Sequence, residues 1–501
     1  MSEPVGTLCI VLHTHLPWLP RHGSWPVGEE WLHQAWSGSY LPVLAVLDRL
    51  AGEGRRDLVT LGVTPVLAAA LDDPYALREH HGWLGRWQLR AEELARDRDP
   101  ALRATASEEF RAASRSLEVF ETRWVHGGSA ELRPLLDSRA VELLGGPVTH
   151  PILPLLPAAV ASFALRAGLD DAALRVGRRP VGIWLPECAW SPELAPVLAQ
   201  AGVRHFLVDE PTVTAAGGST DRPGRVAGGD LVAVAGDLAL TDLVWSSRSG
   251  FPRGADYRDF HDVHPSGLRT ARVTDPGNPA KLPYDPAAAG ATARRDAVRF
   301  VGAARDRLVA LAARRPDGPP PVAVVAWDTE LFGHWWHEGP QFLGHVLRML
   351  PEAGVRPATL RQVTSEAADP LDLPAGSWGA GKDFRLWAGE PVADLAADAR
   401  RVADRLLDVV RRCAPPGSAR RPDLDDLARE ALLALSSDWA FMVSRDSAAA
   451  YGRDRHRAHV HRFDALADHL EGRGPHPGPS VDGALASHLD ARILVRSAAP
   501  A

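Results

Sequence analysis

Short apolar runs, each followed by a polar or chemically active residue and then by a helical pattern, recur along the chain. They are TLCIVL (7–12) before His13, LVTLGV (58–63) before Thr64, and VELLG (141–145) leading to His150. VGIWL (181–185) leads to Glu187, HFLVD (205–209) and TDLVW (241–245) follow, and VAVVAW (322–327) stops at Asp328. Near-continuous apolar runs separated by helices mark parallel strands covered on both faces. The pattern predicts an α/β fold, a (β/α)7 barrel one unit short of the eight-fold form. In such barrels the chemistry gathers at the C-terminal strand ends, where His13, His150, Glu187 and Asp328 stand.

Between the second and third runs the period changes. Residues 75–138 are charged, rich in Arg and Glu and helical in spacing, and predict an inserted helical domain. A second helical pattern covers 396–471 and predicts a C-terminal helical domain, which leaves 1–74 and 139–395 for the barrel. The turn-rich stretch GRGPHPGPSVDG (472–483) predicts a mobile tail over 472–501.

Composition narrows the partners. A net charge of −7 with acids and bases interspersed argues against a nucleic-acid or other polyanionic partner and leaves a neutral polymer unobstructed. Cys9, Cys188 and Cys413 lie far apart, show no metal spacing, and fit a reducing cytoplasm. The N-terminus lacks a signal-peptide pattern, and no apolar stretch reaches the roughly 20 residues of a membrane helix. A cytoplasmic protein without a membrane partner is expected. Phosphate-binding loops and a GxSxG elbow are absent. The 16 Trp against 5 Tyr supply flat aromatic faces suited to sugars, or simply large core residues.

Glu187 in IWLPECAW and Asp328 in AWDTELFGHWW place two carboxyls at one barrel mouth, both beside tryptophan. Paired carboxyls suit glycosidic chemistry: one attacks the anomeric carbon and the other, kept protonated by apolar neighbours, protonates the leaving oxygen. A retaining mechanism needs them about 5–5.5 Å apart. The competing reading of each acid is a helix cap, for which Asp-Thr-Glu is well formed. His13 and His15 in LHTHLPW could begin a metal site, with His150, His334 and His337 as further ligands; without metal they would bond sugar hydroxyls. Trp378 and Trp387 sit in the Gly-rich stretch GSWGAGKDFRLW and suit stacking on pyranose rings, or pinning of the loop. SSDWAFMV adds Asp438 and Trp439, the latter at a spacing that also fits a core.

Taken together, LHTHLPW, GGPVTHPILPLL, WLPECAW, AWDTELFGHWWHEGP and SSDWAF resemble glycoside hydrolase family 57, specifically its α-1,4-glucan branching-enzyme subgroup. WPVGEEWLHQAWSGSYLP (25–42), VWSSRSGFPRGADYRDFH (244–261) and SWGAGKDFRLW look like the same subgroup. The resemblance implies a (β/α)7 barrel with inserted and C-terminal helical domains, and a retaining mechanism without metal or organic cofactor. It makes Glu187 the nucleophile and Asp328 the general acid/base. His13 and His150 would line the donor-sugar subsite, and Trp245, Trp378 and Trp387 would stack on an α-1,4-glucan, with Asp438 nearby. Members that branch resemble one another in a long tyrosine-bearing loop after the fifth strand. The matching stretch here (209–230) is short, Gly-rich and without tyrosine. A cleft without that lid admits water more readily. An amylase-type hydrolase or a 4-α-glucanotransferase is therefore the near alternative to branching; a metal-dependent barrel hydrolase and a silent glucan-binding protein are remote ones.

Overall fold

A computed structural model of the chain describes residues 3–25, 27–275, 280–365 and 369–496, with the side chain of residue 496 left aside. The apolar runs become β1 (Gly6–Thr14), β2 (Val59–Val63), β3 (Val141–Gly145), β4 (Gly182–Ile183) and β5 (His205–Val208). A short β6 (Gly224–Val226) precedes β7 (Val232–Ala235), and β8 (Val322–Asp328), β9 (Val355–Ala358) and β10 (Asp369–Leu371) follow.

One expected strand is corrected. TDLVW (241–245) is the end of a helix, Leu238–Trp245, and the sixth parallel strand is the preceding run, Val232–Ala235. The Asp237 carboxylate accepts a hydrogen bond from the Leu240 amide at 3.1 Å and so caps that helix. Leu240 and Val244, one turn apart, are both buried, so a short covered helix reads like a strand.

The strand order β7-β5-β4-β3-β2-β1-β8 is parallel throughout. This is the predicted seven-stranded (β/α) barrel. At the seam between β7 and β8 the amide of Asp237 donates to the Val324 carbonyl at 2.7 Å. β1 has two neighbours on one side: β9 pairs with Gly6–Cys9 and β2 with Val11–Thr14. β6 runs antiparallel to β7 and carries β10 at the sheet edge.

Alternation within the strands decides what faces inward. Cys9, Val11, Leu144, Trp184, Leu207, Val234 and Val324 form the barrel interior. Val325 and Trp327 point the other way, into the layer beneath the helices. Continuing the inward series upward delivers His13 on β1 and Asp328 on β8 to the mouth, where they are register partners.

The helices Pro74–Leu94 and Pro100–Thr122 lie between β2 and β3 and pack side by side, with Trp87 Nε1 donating to Glu109 at 2.9 Å. Asp73 and Asp99 cap them, each followed by proline at the first helical position. The helices Ala393–Cys413, Pro422–Ala434, Ser437–Ser444 and Ala449–Leu470 form the C-terminal helical region. Of the stretch expected to be a mobile tail, residues 472–481 are largely exposed, while the part from Asp482 on is packed. Leu485, Leu489 and Leu494 are buried in the helical core, and Asp482 accepts from Trp18 Nε1 at 2.8 Å and pairs with His22. Apolar side chains that follow the Gly/Pro-rich stretch supply that burial. Residues 497–501 of the expected tail, and Pro26 of the 25–42 stretch, lie outside the described residues. Among the described residues no helix is long and apolar enough to cross a membrane.

Candidate active site

A cleft of about 830 Å³ opens at the C-terminal end of the barrel, lined among others by His13, His15, Glu187, Asp328, Trp378 and Asp438. Its size is that of an ordinary ligand site.

Glu187 follows β4 on a tight turn with φ 57°, and Cys188 after it has φ 51°. Left-handed backbone costs a side-chain-bearing residue about 1–2 kcal/mol, and such residues concentrate where function holds them. Here the turn is pinned from both sides. Cys188 N donates to Leu185 O at 2.8 Å, and Trp378 N donates to Glu187 O at 3.0 Å. The side chain is fixed as well: Trp378 Nε1 donates to Glu187 Oε2 at 2.7 Å. His150, φ 59°, and Lys382, φ 58°, are left-handed as well.

Asp328 ends β8, and Glu330 sits two residues on, in the turn Thr329–Leu331. Sequence reasoning gave Glu330 no role, although it is buried and lines the cleft. The Tyr40 hydroxyl donates to it at 2.6 Å and the His15 amide at 3.2 Å. Tyr40 comes from a π-helical turn, Trp36–Tyr40, that lies against this segment; Ser39 Oγ donates to Thr329 O at 2.7 Å. Gly38 and Gly333 permit that approach, since a Cβ on Gly333 (φ 109°) would overlap the Gly38 carbonyl.

Burial raises the pKa of all three carboxyls to about 7. Glu187 is raised further by Asp328 and held back by the Trp378 hydrogen bond; Glu330 raises Asp328. Near neutral pH the group therefore shares protons, with one carboxyl able to donate while another is ionised.

In this setting the balance of His15 shifts toward its charged form. Burial disfavours its charge, but Asp438 lies 3.0 Å from Nε2, and with Glu187 and Glu330 it raises the His15 pKa above the usual value. Thr64 Oγ1 meets the other nitrogen at 3.0 Å. Asp438, also held by Ser436, stays below the usual carboxylate range despite its burial, because of His15. His13 stacks on Trp184 at 4.3 Å and burial keeps it neutral; both its ring nitrogens are free of partners among the described residues. It offers one donor and one acceptor to a ligand in the cleft. His150 is buried behind His15 at a ring distance of 3.9 Å, bonded to Ser437 at 3.0 Å.

The tryptophans divide. Trp245, nearly half exposed, and Trp378 line the cleft. Trp387 and Trp439 do not: they are buried together with Val392 and Leu395, and Trp439 Nε1 donates to Leu433 O at 2.7 Å. Helices distant in sequence cover both rings, which removes them from direct stacking on a chain in this cleft. Trp335, Phe260 and Lys382 line the cleft without having been singled out from sequence.

Of the histidines expected as alternative metal ligands, His15 has both nitrogens bonded and His150 is bonded to Ser437; His13 has free nitrogens and His334 lines the cleft, but among the described residues neither belongs to a group whose ligand atoms converge. Elsewhere His22, His459 and Asp482 converge. There Arg455 lies 2.9 Å from His459 Nε2 and Glu430 2.9 Å from Nδ1, so a guanidinium already occupies the position a cation would take.

Comparison with known proteins gives the following. The family model described as glycosyl hydrolase family 57 matches residues 9–371, and that described as 1,4-alpha-glucan branching enzyme, C-terminal, matches 398–478. The chain is 47% identical over 495 residues to a probable 1,4-alpha-glucan branching enzyme of Mycobacterium tuberculosis, covering 94% of this chain and 93% of that one. It is 32% identical to a 1,4-alpha-glucan branching enzyme of Thermococcus kodakarensis, covering 93% of this chain and 74% of that protein. The crystal structure of a branching enzyme of the same family type from Pyrococcus horikoshii superposes with a TM-score of 0.88 at 30% identity, covering 98% and 94% of the two chains.

Proposed function

This chain belongs to glycosyl hydrolase family 57, and on that premise we propose that it is a retaining 1,4-α-glucan branching enzyme with Glu187 as nucleophile and Asp328 as general acid/base. The observation that carries the assignment of roles is the pair itself: two carboxyls of raised pKa facing one cleft, the first fixed in orientation by Trp378.

Glu187 attacks the anomeric carbon of an α-1,4-linked residue while Asp328 gives its proton to the departing 4-oxygen. The C–O bond breaks and a glycosyl ester forms on Glu187. Asp328, now ionised, takes the proton from a 6-hydroxyl of a second chain. That oxygen then displaces Glu187, giving the α-1,6 branch and restoring both carboxyls. The Glu330 charge raises the Asp328 pKa and so favours its acid form, and the His15–Asp438 pair lies beside the cluster. His13 bonds sugar hydroxyls in the donor site, and Trp245 and Trp378 offer their faces to the glucan. The substrate is a neutral amylose- or glycogen-like chain in the cytoplasm, in keeping with the free cysteines.

Residues 209–230 bear on how well water is excluded. They fold onto the sheet edge as the helix Glu210–Ala215 and β6, and carry no tyrosine over the cleft. Some hydrolysis therefore accompanies transfer. The deciding experiment is incubation with amylose, with products analysed before and after isoamylase and reducing ends counted in parallel. New short chains released by isoamylase with few new reducing ends support branching. Reducing ends without isoamylase-released chains would leave an α-amylase-type hydrolase in its place.

A further inference from the structure

A second groove, of about 740 Å³, lies beside the catalytic cleft. The two are continuous: Glu30, Gln34, Phe260, His334 and Trp335 line both. Its far wall is built by the inserted helices, through Trp83 and Trp87 on Pro74–Leu94 and Ala112, Arg115 and Ser116 on Pro100–Thr122. We propose that this groove holds the acceptor, an α-1,4-linked glucan chain that presents a 6-hydroxyl across Trp335 to the glycosyl ester on Glu187. The inference rests on the branching reading and deepens it.

Three observations carry it. Hydrolysis needs one groove and a water molecule, whereas branching uses an internal 6-hydroxyl, so the acceptor chain crosses the site instead of following the path of the departing 4-oxygen chain, and a groove opening sideways onto the first suits it. The chemistry of the walls is that of a sugar site. Trp335 is 45% exposed and packs at 4.5 Å on Phe260, which presents flat apolar surface on the shared rim. Arg90 and Arg115 line the groove beside Trp83 and Trp87, so guanidinium N–H donors and aromatic faces meet there, as a hydroxyl-rich ligand requires. Finally, the fixed charge is partly cancelled: Arg258 is paired with Glu109 and Arg348 with Glu53, each at 2.5 Å. The arginines that remain, Arg49, Arg90, Arg115 and Arg269, are donors to the hydroxyls of such a chain, and inorganic phosphate is the ligand that would reveal an anion site instead. The groove also gives the inserted helices, which contribute nothing to the carboxyl cluster, a task in the reaction.

Ser116→Trp fills the groove, and Arg115→Ala removes one guanidinium from it; thermal melting checks that each folds, and Arg115→Ala carries the test if Ser116→Trp does not. With amylose, the ratio of isoamylase-released chains to new reducing ends is expected to fall at least tenfold for Ser116→Trp and severalfold for Arg115→Ala. An unchanged ratio, or branches and reducing ends lost in equal proportion, overturns the assignment; the second outcome would make the groove part of the donor site. If the unaltered protein makes no branches at all, the branching reading fails separately. The groove is then decided by titrating maltoheptaose into Glu187→Gln. Two sites, one of them lost when Ser116→Trp is added, support it. A single site unaffected by Ser116→Trp, or a second site filled by inorganic phosphate instead of maltoheptaose, overturns it.

Discussion

Trp378 holds Glu187 at both ends: its backbone amide donates to the Glu187 carbonyl at 3.0 Å and its indole N–H to the carboxylate at 2.7 Å. The side-chain bond favours the ionised form of a carboxyl that burial would otherwise keep protonated. Trp378→Phe keeps the ring and removes that bond, a charge-assisted one of about 1.5–3 kcal/mol. The acid limb of the kcat/KM profile is expected to move to higher pH, with activity at neutral pH down roughly 10- to 100-fold. A profile with an unmoved acid limb would falsify this role for the indole.

Glu330 acts on Asp328 in the opposite sense, since its negative charge raises the Asp328 pKa. Glu330→Gln removes that charge while keeping a partner for Tyr40. Asp328 then loses its proton more easily, and the basic limb of kcat/KM moves to lower pH by about one unit. A basic limb that stays in place, measured alongside an unaltered melting temperature, would remove Glu330 from the proton balance.

The His15–Asp438 pair links the barrel to the C-terminal helices and gives stability a defined pH window. The raised His15 pKa contributes stability that is full below its ordinary 6.5 and is lost as pH rises through the folded value. The depressed Asp438 pKa contributes stability present above 3.8 and lost as pH falls through its folded value. Asp438→Asn is therefore expected to cost most, about 1–3 kcal/mol, between roughly pH 4 and 6.5, and progressively less in alkaline solution. Denaturant titrations across that range check it; a difference that grows above pH 7 contradicts it.

The two classes of tryptophan should separate cleanly. Trp439 is fully buried with its indole N–H bonded, so Trp439→Ala is expected to destabilise by about 3–5 kcal/mol. Trp245 is nearly half exposed on the cleft wall, so Trp245→Ala should shift stability by under about 0.5 kcal/mol and raise KM for amylose severalfold. Equal melting temperatures for the two variants would contradict the division.

The barrel was legible because buried parallel strands have a signature that depends on few distant partners. The runs at β1, β2, β3, β4, β5 and β8 carry it, and Glu187 and Asp328 stand out as acids after β4 and at the end of β8. TDLVW was misleading because a short helix covered on its apolar face has the same composition; the capping Asp237 was the available clue. Glu330 was in plain view two residues after Asp328, yet its importance comes from Tyr40, 290 positions away in the chain. The same holds for Trp387, whose glycine-rich surroundings suggest a ligand while distant helices close over it. Local pattern reveals an element; whether a side chain meets solvent or another helix is decided by segments that local pattern does not see.

Asp438 and Ser437, which complete the histidine cluster, arrive late in the chain, 423 positions after His15 in the case of Asp438. Synthesis from the N-terminus therefore produces both reacting carboxyls well before the partners that set their electrostatics. A nascent chain, or one broken off before the helix Ser437–Ser444, has Glu187 and Asp328 but lacks the carboxylate that pairs with His15. The site is thus completed only by the last helices of the chain, which bring Asp438 and Ser437 to histidines that the first and third strands have already placed.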